Sequence, residues 1–72
     1  MEYDLFNVKS LKMDGDSETI TVETDKGQRV FTRDEIETVK LKSVAFMDGD
    51  TYFFNNARCS IDRQNKELVC GD

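Results

Sequence analysis

The chain contains no histidine. That removes the commonest acid–base group of enzymes and one of the two usual zinc ligands. Proline is absent as well, and no segment is low in complexity, so nothing reads as a linker. Cysteine occurs only twice, at Cys59 and Cys70. Two thiols without histidine do not make a zinc site, and their spacing is too wide for a Cys-x-x-Cys redox pair. Serine and threonine lack a neighbouring base, and no glycine-rich phosphate loop is present. These absences point to a non-enzymatic protein with no catalytic residues, no cofactor and no metal.

Long apolar runs are missing too. None approaches the roughly 20 residues that a membrane helix needs. The start "MEYDLF" lacks the basic segment and apolar stretch of a signal peptide. The expectation is therefore a cytoplasmic protein without a membrane segment. Secretion stays open as the reading in which a leader has been removed.

What is present is short and charged. The 72 residues read as one domain, 1–72, with 38% hydrophobic and 35% charged residues. Ordering so short a chain costs on the order of 100 kcal/mol, and one small core offsets little more than that. A staple or a partner would help. The net charge is −5 and unevenly placed. Residues 1–25 hold seven acids (Glu2, Asp4, Asp14, Asp16, Glu18, Glu23, Asp25) against Lys9 and Lys12, which accounts for the whole excess. A field of that sign disfavours nucleic acid and anionic membranes. It suits a basic protein surface, and equally it suits solubility.

Hydrophobic alternation indicates strands. "ETITVETD" alternates Ile20 and Val22 with polar residues, "DKGQ" makes a turn with Gly27 free to take positive φ, and "RVFT" returns. "VKLKSVAF" (Val39–Phe46) reads as one strand whose apolar parity changes, which predicts a bulge near Ser43. Along Phe6, Val8, Leu11 and Met13 the parity also changes, between Val8 and Leu11. "TYFF" is a strand, "NN" (Asn55–Asn56) suits a tight hairpin turn, and "ARCSID" with "KELVC" forms a last hairpin. Thr32 and Glu35 fit a capping box, with Ile36 and Val39 on one helical face, so a short helical turn is expected near 33–39.

The four residues "MDGD" occur twice, at 13–16 and 47–50, inside a longer match of "VKSLK-MDGDS" with "LKSVAFMDGDT". One reading is a two-unit pseudo-repeat. Neither copy supplies the alternating oxygen ligands and distant glutamate of a calcium loop. Both fit hairpin turns instead. With Gly15-Asp16 as the central pair, Leu11 faces Ile20. With Gly49-Asp50 central, Phe46 faces Phe53.

About a turn at Arg63–Lys66, Cys59 faces Cys70 and Ile61 faces Leu68. Two readings of the cysteines stand: a cross-strand disulfide, or two reduced, half-buried thiols. Tyr52-Phe53-Phe54 places large rings on both faces of one strand, which reads either as core burial on both sides or as a contact surface that uses Tyr52. Lys40 and Lys42 share a strand face and read as solvating it.

The expectation is a mainly β fold. It would be a small antiparallel barrel or strongly twisted sheet of about six strands, SH3-like or Sm-like in shape, an analogy that carries no function. The functional expectation is a small acidic protein-binding module, an inhibitor or regulator that docks on a basic partner in the manner of a nucleic-acid mimic. Its candidate contacts are Tyr52, Phe54, Asp14, Asp16, Glu18 and Glu23. The alternatives are a homo-oligomeric structural protein and a secreted, disulfide-stapled β domain.

Overall fold

The alternating segments are strands. The structure, a computed structural model, describes residues 3–71. Seven strands follow in order: β1 (Tyr3–Asp14), β2 (Thr19–Thr24), β3 (Gly27–Thr32), β4 (Thr38–Leu41), β5 (Val44–Asp48), β6 (Thr51–Asp62) and β7 (Glu67–Cys70). They form one mixed sheet in the order β3-β2-β1-β6-β7-β4. β5 pairs with β6 outside that path, beside its first residues, whereas β7 pairs with its last ones. The fold is mainly β, but the sheet does not close into a barrel. β4 lies parallel to β7 and every other pairing is antiparallel.

β1 and β6, 12 residues each, are the central strands. Both change parity at the same level of the sheet. On β1, the register with β2 and β6 shifts between Val8 and Ser10, leaving Lys9 as the irregular residue. This is the parity change legible between Val8 and Leu11. It lets Val8 and Leu11 both face the core. On β6, Val8 is opposite Ala57 but Ser10 is opposite Phe53, so three residues intervene where β1 has one. Asn55 and Asn56 absorb the difference, with Asn56 at φ 55°. Phe54 before them and Ala57, Cys59 and Ile61 after them are all buried. Asn55–Asn56 is therefore a bulge inside a continuous strand, not a hairpin turn. Asparagine tolerates positive φ in either setting, and only the pairing of β1 along the whole of β6 distinguishes the two.

The segment 39–46 breaks where a bulge was expected, and more completely. Ser43 takes φ 56°. Before it, β4 pairs with β7; after it, β5 pairs with β6. The expected helical turn is a single hydrogen-bonded turn, and no helix exists among the described residues. The capping-box contacts form. Glu35 Oε1 accepts from Thr32 N (3.2 Å) and Thr32 Oγ1 (3.3 Å), and Thr32 O accepts from Glu35 N and Ile36 N, each at 3.0 Å. The turn does not continue as a helix because Ile36 is drawn into the core. The next two N–H groups, of Glu37 and Thr38, donate to Lys66 O and start β4.

One core holds the inner face together: Val8, Leu11, Ile20, Val22, Phe31, Ile36, Phe54, Ala57, Cys59, Ile61, Leu68 and Cys70. At its rim, the Arg29 guanidinium lies 4.7 Å from the Phe6 ring centre and 5.2 Å from that of Phe31. It donates to Asp4 Oδ2 at 2.8 Å. That contact ties β3 to the start of β1, two strands away in the sheet.

Candidate functional site

The two MDGD segments make turns of different length. About the second, Asp48 faces Thr51 and Phe46 faces Phe53, so Gly49-Asp50 is the central pair as the spacing predicts. About the first, Leu11 faces Val22 and Met13 faces Ile20. The pairing of Leu11 with Ile20 is thus replaced by a register two residues longer, with a loop of Gly15–Glu18. The reason is apolar matching. The shorter register would set Met13 against Glu18 and Lys9 against Val22. The longer one gives two apolar cross-strand pairs.

The first MDGD turn has a structural counterpart, but it is not the second one. Asp14 Oδ1 accepts from Asp16 N (3.0 Å) and Ser17 N (3.3 Å), and Glu18 closes the loop at φ 56°. Asp62 does the same for Gln64 N (3.1 Å) and Asn65 N (3.2 Å), and Lys66 closes that loop at φ 52°. The identical tetrapeptides therefore take unlike turns, and the two unlike sequences share one. As units of a pseudo-repeat the two copies are not equivalent, since β1 is central and β5 is an edge strand.

The two MDGD turns nonetheless meet. Lys12 on β1 is opposite Thr51 on β6, and Met13 N donates to Asp50 O at 3.4 Å. Asp14, Asp16 and Glu18 from one turn thus share an end of the sheet with Asp48 and Asp50 from the other. Glu18 pairs with Arg33 at 3.5 Å. The other four carboxylates make no ion pair among the described residues. The N–H and hydroxyl of Ser17, with the N–H of Asp16, hold the Asp14 carboxyl below its ordinary range.

The remaining acids of the N-terminal third are elsewhere. Glu23 is at the far end of β2 and accepts from Gln28 Nε2 at 3.2 Å. Asp25 accepts from Asn7 Nδ2 at 3.2 Å. Asp4 is engaged by Arg29 and, at 3.7 Å, by Arg63. Its carboxyl is held low by the Arg29 hydrogen bond, with partial burial opposing and both arginine charges assisting. Glu2 lies outside the described residues. Acidity concentrated in the first third of the sequence is therefore dispersed in space. Asp48 and Asp50, which belong to the electrically neutral remainder, take its place at the acidic end.

Of the aromatic candidates, Phe54 is 9% exposed and belongs to the core, and Tyr52 is partly buried against it. The outward rings are Phe46 and Phe53, stacked with centres 4.6 Å apart and planes 9° from parallel. Phe46 is 59% exposed and its neighbour Met47 60%. Register made the Phe46–Phe53 pair legible, but not the side of the sheet it occupies. Cys59 and Cys70 face each other as expected, with Cα atoms 4.0 Å apart and sulfurs at disulfide-bonding distance.

No protein-family model, no curated protein and no solved structure matches this chain. The arrangement offers hydrogen-bond acceptors and negative charge at one end of the sheet, and on the adjoining edge hairpin an exposed ring, Phe46, stacked on the half-buried Phe53. Among the described residues, no three acids or cysteines come together to hold a metal ion.

Proposed function

We propose that this chain is a small, acidic, non-enzymatic protein-binding module. It docks on a basic partner surface through the end of the sheet where the two MDGD turns meet, as an inhibitor or regulator that presents charge in the manner of a nucleic acid. One observation carries the reading: Asp14, Asp16, Asp48 and Asp50 share one end of the sheet without an ion-pair partner among the described residues. Carboxylates grouped this way make the local potential more negative and steer a basic partner. The small-barrel likeness, SH3-like or Sm-like, belongs to the same proposal. Its support is the bend that both central strands make at one level, which curls the sheet around a single core.

Affinity capture from the source cells tests it, with the natural chain beside the triple variant Asp16→Asn, Asp48→Asn, Asp50→Asn. Asp14 is left in place because it holds its own loop. The natural chain should retain a basic protein at low salt and lose it at several tenths molar, where screening falls to a few ångströms. The variant should not retain it, and duplex nucleic acid should compete. Retention indifferent to salt and to all three substitutions overturns the proposal.

A further inference from the structure

The two MDGD segments pose the same chemistry in two settings. Asp14-Gly15 and Asp48-Gly49 have the same residue on either side, and both glycines are exposed. A Cβ built on either glycine meets nothing, so neither is crowded. Neither glycine N–H makes a hydrogen bond among the described residues. What differs is the aspartate carboxyl beside it.

Asp14 Oδ1 accepts from the N–H groups of Asp16 and Ser17, so its carboxyl is turned along the loop and held there. Those bonds also favour its charged form. Asp48 is exposed, and its carboxyl makes no hydrogen bond or ion pair among the described residues. The strands differ as well. Asp14 ends the central strand β1, which pairs on both sides. Asp48 ends the five-residue edge strand β5, which pairs with β6 alone. The tip of an edge hairpin opens at a lower free energy than a central strand.

An aspartate followed by glycine can close a ring on the main chain. The glycine nitrogen, on losing its proton to water, attacks the aspartate Cγ. A C–N bond forms, a Cγ–O bond breaks, and the oxygen leaves as water from a five-membered succinimide. Water then opens the ring. Attack at Cγ restores aspartate. Attack at the main-chain carbonyl carbon breaks the original peptide C–N bond and gives isoaspartate, whose chain runs through Cβ and Cγ. No atom is gained or lost overall, and no oxidant or reductant is needed. The leaving oxygen must be protonated, so a carboxyl held as its anion reacts slowly. A carboxyl pinned by hydrogen bonds must also release them before it meets the nitrogen.

We propose that Asp48-Gly49 is a site of spontaneous isoaspartate formation in the folded chain, and that Asp14-Gly15, identical in sequence, is protected by its loop. The product keeps the charge but lengthens the main chain by one methylene at the tip of β5. It thereby disturbs the Asp48–Thr51 pairing and moves one carboxylate of the acidic end. The site does not depend on what that end binds.

Incubation of the full chain in mildly acidic buffer tests it, beside the same chain unfolded in guanidinium chloride with reductant. Trypsin cuts after Lys12, Lys26, Lys42 and Arg58, so the two sites fall on separate peptides. Isoaspartate peptides separate by chromatography at unchanged mass, and electron-transfer fragmentation locates the isomer. The unfolded chain supplies the rate that each site has without structure, and incubation runs until it shows isomer at both. Relative to those rates, folding should slow Asp14 at least several-fold more than Asp48. Asp48→Glu keeps the charge but would need a six-membered ring, so its peptide should stay free of isomer. Equal slowing at the two sites, or greater slowing at Asp48, overturns the proposal. So does a folded chain without isoaspartate at Asp48 when the unfolded chain has acquired it.

Discussion

Cys59 on β6 and Cys70 on β7 stand directly opposite each other, both fully buried, with Cα atoms 4.0 Å apart. This pair joins the centre of the sheet to the strand that supports β4. A bond here closes a loop of about 12 residues, which in the chain-entropy account stabilises by about 3 kcal/mol. The expected mass without reductant is two hydrogens below that of the dithiol form. Reductant, or Cys59→Ser with Cys70→Ser, should lower Tm by more than about 10 °C. Two free thiols in protein taken from its source would instead favour the cytoplasmic reading, and a bond would favour the secreted one.

Gly71 shows a requirement that no turn pattern announces. It takes φ 106°, its N–H donates to Arg58 O at 2.9 Å, and a Cβ built there overlaps the backbone carbonyl of Lys42. Lys42 N is itself held by Cys70 O at 2.7 Å, so the neighbour cannot easily move. Gly71→Ala should cost about 1–3 kcal/mol, read from the urea midpoint. Gly15→Ala, where a Cβ meets nothing, should change it by less than about 1 kcal/mol.

Arg29 and Asp4 should shape the acid limb of stability. The Asp4 carboxyl is held below its ordinary value of 3.8 in the fold, chiefly by the Arg29 hydrogen bond. A carboxyl with a lowered folded pKa contributes stability that is present above its unfolded pKa and lost as pH falls through the folded one. Unfolding in urea should therefore show Arg29→Leu less stable than the natural chain by a constant margin from neutral pH to about pH 5. That margin should shrink below the ordinary carboxylate value. The ion-pair part should stay under about 1 kcal/mol, because both side chains keep contact with water. The stacking of Arg29 on Phe6 and Phe31 should persist at low pH as a remainder of about 0.5–1 kcal/mol.

Local chemistry was legible wherever one segment pairs with its neighbour. The Cys59–Cys70 and Ile61–Leu68 pairs, the Phe46–Phe53 pair and the capping contacts of Thr32 and Glu35 follow from spacing alone. The Lys9 irregularity was visible as a parity change. Asp14 and Asp62 show the limit of likeness between residues. They cap the same kind of loop within different tetrapeptides, whereas the second MDGD, identical to the first, does not.

What the residues determined by themselves is which segments extend, where their apolar faces change sides, and which turns close them. Those are short-range properties, set by side-chain alternation and by the φ tolerance of Asp, Asn and Gly. The tertiary structure alone decided which strands neighbour one another. It ran β6 through Asn55–Asn56, because β1 pairs on both sides of them. It sent β4 to β7 and β5 to β6 across one Ser43, because separate edges of the sheet were open to each. It also set the two MDGD turns side by side, so that four acids distant in sequence, without ion-pair partners among the described residues, share one end of the sheet. Pairings between remote strands depend on the summed burial of the whole core, and no single segment carries that sum.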